Sequence, residues 1–282
     1  MVKIFPFIFV LLWSSAFITT KPIIDNSDPF GALAFRFALV AFGFFLYVVY
    51  FKQKILIKKK FFFESFLSGV LFHGFYLGGV FYSVSKGMPT GIAALIVTLQ
   101  PILTNVLSVQ ILNEKVSLKQ WLGILLGFAG AILVLGFDIG SQIPTTGLIA
   151  TIIALMAITF STIWQKKLSN NLPLSVSNMY QALGGCTFHV LIVIIFAEPY
   201  INFSKTFILA MCHQIFLVSF GAFTILMYLI KYNSANKTVS IFFLVPATSA
   251  FMAWLFLNET LTYFDLIGFF ITSIGVFIAT RD

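Results

Sequence analysis

Apolar residues run along this chain in long blocks, and polar residues interrupt them at short, regular intervals. A helix that crosses a bilayer needs about 20 predominantly apolar residues. The blocks predict ten such helices, at roughly 3–21, 30–51, 65–85, 91–112, 120–137, 146–165, 176–197, 209–230, 238–257 and 263–280. The gaps between them carry turn formers, as in "DNSDP" (25–29), "SQIPTT" (141–146) and "SNNLP" (169–173). No gap is long enough for a separate soluble domain. The first block resembles a signal peptide, but it continues to Thr20 with no A-x-A site before Lys21-Pro22, so an uncleaved first span is expected.

Two stretches 145 residues apart repeat one another. "LQPILTNVLSVQILNEKVSLKQWLG" (99–123) aligns with "LVPATSAFMAWLFLNETLTYFDLIG" (244–268). Pro101 falls on Pro246, Leu112-Asn113-Glu114 on Leu257-Asn258-Glu259, Gly123 on Gly268 and Gly130 on Gly275. The halves divide at 1–140 and 141–282, five spans each. Five is odd, so the second half enters the membrane from the opposite side. The expected fold is therefore an all-α integral membrane protein of ten transmembrane helices in two inverted five-helix repeats. Inverted repeats of this kind build transporters whose solute site lies near the bilayer midplane.

Composition agrees with the pattern. The 282 residues are 60% hydrophobic and 9% charged, with mean hydropathy +1.02, whereas soluble domains carry roughly 25% charged residues. The formal charge of +8 would suggest nucleic acid or another acidic partner in a soluble protein. Here the basic residues gather in the gaps, and no nucleic-acid role is expected. With the N-terminus inside, the inner face receives Lys3, Lys52, Lys54, Lys58, Lys59, Lys60, Lys115, Lys119, Lys166, Lys167, Lys231, Lys237 and Arg281. The outer face receives Lys21, Lys86 and Lys205. The positive-inside rule then places both termini in the cytoplasm, with the chain expected in the cell inner membrane.

The stretch "GMPTGIAALIVTLQPILTNVLSVQILNEKVSLKQWLGILLGFAGAILVLG" resembles the EamA-type families of the drug/metabolite transporter superfamily. So does "LLWSSAF" (11–17) followed by "PFGALAFRFALVA" (29–41), and the resemblance covers essentially the whole chain. It implies ten helices, with helices 1–4 and 6–9 around a central cavity and helices 5 and 10 packed peripherally. It also implies transport of amino acids and other small metabolites, mostly outward. Many relatives carry Gly before the repeat's Glu, where this chain has Asn113 and Asn258. Asn also tolerates a left-handed helix cap.

Residues shared by both halves belong to the architecture. Pro101 and Pro246 are hinge candidates, or else static kinks. Glu114 and Glu259 fit helix caps or loop salt bridges better than coupling-ion sites. Gly74-x-x-x-Gly78 and Gly123-x-x-x-Gly127 fit close helix packing. Residues present in one half only are the better candidates for solute. Arg36 is the charge placed within a span, where insertion costs at least about 2.5 kcal/mol; its repeat partner is Gln181. Either it faces the cavity and binds a carboxylate or phosphate, or it snorkels to a helix end about 9 Å away; the cavity is preferred. Gln100 and Thr104 share one face of the fourth span, and Thr98 and Asn105 another, with the cavity-facing stripe undecided. His73 and Tyr76 line a stripe of the third span; an interhelical bond is the competing role for His73. Trp13, Trp164 and Tyr228 offer flat faces with polar edges, or interfacial anchors.

His73, His189 and His213 lack metal-ligand spacing, and Cys186 and Cys212 lack pair spacing, so no metal and no disulfide framework are expected. No cofactor is implied, and no nucleophile–base pair suggests an enzyme. A Gly-rich phosphate loop is missing, which argues against ATP-driven transport by this chain. No carboxylate is assigned to a span interior, unlike a proton-driven exporter of cationic drugs. The expected function is a secondary transporter of small polar metabolites, foremost an exporter of amino acids or related metabolites by alternating access. An uptake permease or a drug efflux carrier of the same fold is the alternative. Partners are a small-molecule solute and the lipid bilayer, with a monomer as the default state and a dimer as the alternative.

Overall fold

The computed structural model describes residues 4–88, 90–135, 143–168, 171–196, 199–257 and 262–281. Among the described residues ten helical spans follow one another: α1 (Phe5–Ile24), α2 (Pro29–Tyr50), α3 (Lys59–Ser85), α4 in two segments (Thr90–Val97 and Gln100–Ile111), α5 (Leu118–Leu135), α6 (Thr145–Leu168), α7 (Leu174–Phe196), α8 (Lys205–Tyr232), α9 (Ala235–Phe256) and α10 (Tyr263–Thr280). Among the described residues there is no strand, only an isolated bridge between Ser27 and Ile201. Large apolar side chains such as Phe42, Ile194, Phe216 and Phe270 face outward along the helices, as a lipid solvent requires.

Helix ends follow local chemistry. Asp28 caps α2 by accepting the Gly31 N–H, with Pro29 at the first helical position. Ser204 caps α8 through the Phe207 N–H (3.2 Å), and Thr262 with Asp265 forms a capping box on α10. Asn113 stops α4 at φ +54°, the left-handed conformation its sequence position suggested. Asn258 and Glu259 lie outside the described residues. Two spans begin earlier than the hydrophobic blocks. α3 starts at Lys59, so Glu64 falls inside a helix, four residues from Lys60 and 3.9 Å from its ammonium. α8 likewise starts at Lys205. A hydrated end turn can be helical without being apolar.

Both repeat prolines follow an irregularity. α4 breaks at Thr98–Leu99, directly before Pro101, which has no N–H to offer the Val97 carbonyl. α9 tightens into a 3₁₀ turn at Ile241–Phe243, just before Pro246. The repeat also shows in two wide-turned π-helical stretches, Val70–Leu77 in α3 and Gln214–Ala222 in α8. The 145-residue offset carries 70–77 onto 215–222.

The strongest sign of inverted symmetry is the antiparallel crossing of α5 with α10. A Cβ added to Gly123 would lie 2.7 Å from the Gly275 carbonyl, and one added to Gly275 the same distance from the Gly123 carbonyl. Gly130 and Gly268 are related identically, at 2.7 Å each way. Gly123 repeats as Gly268, and Gly130 as Gly275, so exchanging the halves maps the crossing onto itself. By contrast, Gly74 and Gly78 meet the side chains of Phe188 and His189; the backbone-to-backbone approach of α3 and α7 occurs at Gly69 against Gln181 and Gly184 against Phe66.

Candidate functional site

A small cavity lies between α1, α2, α3 and α8, in the half of the bundle toward Ile24 and Ser85. α1 contributes Trp13, Ala16, Phe17 and Thr20, and α2 contributes Arg36. The π-helical stretches contribute His73 and Tyr76 from α3, and Gln214 and Ser219 from α8. π turns are frequent at functional sites because they re-aim successive side chains. Beneath the cavity, toward the Phe5 end, an aromatic floor closes the bundle. Trp13 packs against Phe9, Phe72 and Phe242, with ring centroids 5.4, 6.0 and 5.7 Å apart.

Arg36 is the charged side chain buried among the described residues, with 4% exposure. Its Nε–H donates to Ser219 Oγ (2.9 Å), halfway along α8, and its guanidinium lies 5.2 Å from the Phe37 ring. The side chain therefore crosses the bundle and does not reach back to the end of α2. No Asp or Glu lines the cavity among the described residues, so a guanidinium that needs a counter-charge faces free space without one. Beside it, His73 is clasped between Phe37 (4.4 Å) and Phe223 (4.5 Å), and its Nδ1 has no partner. Gln214 donates to the Ala16 carbonyl and to Thr19 Oγ1 (both 2.9 Å), leaving its Oε1 unpartnered.

Of the residues singled out from the sequence, Trp13, Arg36, His73 and Tyr76 come together in this cavity. The other six lie elsewhere. Gln100 donates to Thr162 Oγ1 (3.2 Å) and so ties α4 to α6. Thr104 is buried in α4 with no partner for its hydroxyl, and Asn105 donates back to the Pro101 carbonyl (2.7 Å). Both stripes of α4 are thus buried, and neither lines the cavity. Gln181 belongs to a separate polar cluster, bonded to Gln165 and Ser177. Tyr228 stacks edge-on against Phe5 (5.0 Å). Trp164 is 38% exposed on the outside of α6.

Sequence reasoning overlooked Thr20, Gln214 and Ser219. A signal existed: Gln214 and Ser219 are polar residues inside the apolar block 209–230, as Gln100 is in its own. Among the described residues no three His, Cys, Asp or Glu side chains group as a metal site, and Cys186 and Cys212 are free thiols.

A family model described as the EamA-like transporter family matches the chain twice, over residues 2–136 and 145–281. The chain belongs to the EamA-like transporter family. It is 25% identical over 216 residues to a Bacillus subtilis protein named "Uncharacterized transporter YvbV", an alignment covering 73% of this chain and 66% of that protein. It is 22% identical over 280 residues to a Salmonella typhimurium protein named "Probable amino-acid metabolite efflux pump", covering 95% and 91% respectively. A crystal structure superimposes with TM-score 0.84 at 19% identity, covering 99% of this chain and 96% of that one; at that identity the match speaks to fold alone. An EamA-like transporter of ten helices in two inverted repeats has a small-molecule solute and the lipid bilayer as its partners.

Proposed function

We propose that this EamA-like transporter carries small polar metabolites bearing a carboxylate, foremost amino acids and their relatives, and exports them by alternating access. One observation carries the reading: Arg36 is buried in a cavity wall that, among the described residues, presents no carboxylate. A guanidinium binds a carboxylate bidentately, with charge-assisted hydrogen bonds roughly twice as strong as neutral ones. The aromatic walls from Trp13, Phe72 and Phe223 suit the remainder of a small organic solute. The same charge disfavours a cationic drug, which would want the missing carboxylate. The printed name of the Salmonella typhimurium relative agrees with the amino-acid class. The Lys and Arg distribution supports an inner-membrane position with both termini in the cytoplasm.

Counterflow in liposomes with a labelled panel of amino acids, nucleosides and cationic dyes tests the reading. Amino acids should exchange and cationic dyes should not. Arg36→Gln should lower kcat/KM for the carried amino acid by about 10- to 100-fold, the loss expected for charged hydrogen bonds. Unchanged kinetics in Arg36→Gln would remove the anchor.

A further inference from the structure

The polar residues that the cavity leaves out are not scattered. Between α3, α6 and α7, in the half of the bundle toward Lys166, five buried side chains connect. Gln165 Nε2 donates to Ser161 Oγ (3.1 Å) and to Gln181 Oε1 (3.0 Å). Ser68 Oγ donates to the same Gln181 oxygen (3.4 Å), and Gln181 Nε2 donates to Ser177 Oγ (3.1 Å). All five are 8% exposed or less.

The repeat relates this cluster to the cavity. The 145-residue offset carries Ala16 onto Ser161, Thr20 onto Gln165 and Arg36 onto Gln181, and Ala16, Thr20 and Arg36 all line the cavity. Cavity and cluster are thus the same place in the two halves, one holding space and the other closed. The closure is tight because Gly69 of α3 rests directly on the Gln181 backbone. The counterpart of Gly69 is Gln214, a cavity-lining residue with a long side chain where Gly69 has none.

Polar side chains buried in a membrane bundle are costly and mark solute pathways. Two nearby acceptors in sequence also lack donors: Gln165 Oε1 of the cluster itself, and Oδ1 of Asn178, which follows Ser177 and donates to Thr224 Oγ1 (3.4 Å). They are the chemical opposite of Arg36, suiting a group that donates hydrogen bonds.

We propose that the Ser68–Ser161–Gln165–Gln181 cluster is the shut half of the solute path and a second solute site, which takes a hydroxyl or ammonium of the solute when the bundle opens toward Lys166. The assignment rests on the transport reading above. A clasp at that end keeps it shut. Lys166 Nζ donates to the Ile230 (2.9 Å) and Asn233 (2.5 Å) carbonyls at the end of α8. The Glu114 carboxylate accepts the Ala235 (2.8 Å) and Asn236 (3.2 Å) N–H groups at the start of α9. Together they fix the turn between α8 and α9 against α4 and α6.

Cysteine accessibility tests the path without any solute. Ser161→Cys and Gln165→Cys, each in a Cys186→Ser, Cys212→Ser background, are treated with a membrane-impermeant maleimide from either face of sealed vesicles. Thr20→Cys reports the cavity. Positions 161 and 165 should label slowly from the Lys166 face, and about 10-fold faster once Glu114→Gln loosens the clasp. No labelling from that face in either background overturns the path assignment, even if the protein transports. The binding role has its own readout: Gln165→Leu should raise the KM of the amino acid carried in counterflow about 10-fold, and an unchanged KM overturns it. A chain that labels as expected but moves no amino acid sinks the amino-acid reading and leaves the path standing.

Discussion

His189 is fully buried and donates its Nε2–H to the carbonyl of His73 (2.9 Å), inside the π-helical stretch of α3. The two histidines thereby separate in role. His73 presents its ring to the cavity, while His189 stands behind it, 6.1 Å from the Phe37 ring, and props the irregular backbone. Truncating His189 leaves a buried carbonyl without its donor, which costs about 1–3 kcal/mol. His189→Leu should therefore lower the unfolding midpoint in detergent by several degrees. His73→Phe should leave that midpoint nearly unchanged and alter solute KM in counterflow. Equal destabilisation by both substitutions would merge the two roles. From the sequence, the three histidines could be denied a metal by their spacing, yet nothing in it says which one faces space. That depends on helix rotation, which a uniformly apolar helix in lipid does not encode: Phe and Leu suit the lipid face and the bundle interior alike.

At the scale of elements, the α5–α10 crossing leaves no room for a side chain. The Gly275 position looks onto the Gly123 carbonyl, and the Gly268 position onto the Gly130 carbonyl, both backbone atoms that cannot swing aside. Gly275→Ala should thus cost about 1–3 kcal/mol through overpacking, read as a lower midpoint in SDS-induced unfolding. Gly221→Ala is the control, because its new methyl meets a movable Leu12 side-chain carbon at 3.1 Å; its midpoint should stay near that of the parent chain. Similar shifts in both would show that glycine loss in a span, not the crossing, sets the effect. The α5 glycine register was legible in the sequence because packing requires it at fixed spacing, whereas Gly74 and Gly78, read the same way, meet side chains of α7. The prolines were legible as interruptions, and each lies just past one. The polar stripes of α4 were legible only as stripes. Gln100 turned out to bond Thr162 on α6, a partner that no local pattern on α4 could name.

For the molecule as a whole, duplication does most of the explaining. An odd number of helices in each half forces inversion, and inversion puts the residues equivalent to the cavity lining at the opposite end of the bundle. Sequence comparison by offset therefore picks out where the halves differ: Arg36 against Gln181, Thr20 against Gln165. The same parity yields a prediction about topology. Ten spans would put thirteen basic residues of the sequence on the N-terminal side of the membrane and three on the other, a bias of the kind that sets orientation during insertion. Ten spans return the chain to the side on which it started, and five place the connection between the halves on the other side. A fluorescent reporter fused after Asp282 should therefore fold and glow in the cytoplasm, while alkaline phosphatase fused there should be inactive. Fusion of the phosphatase after Gln142, between the halves, should give an active enzyme. An active phosphatase at both Gln142 and Asp282 would give the second half an even number of spans, and the two halves could not then be inverted copies of one another.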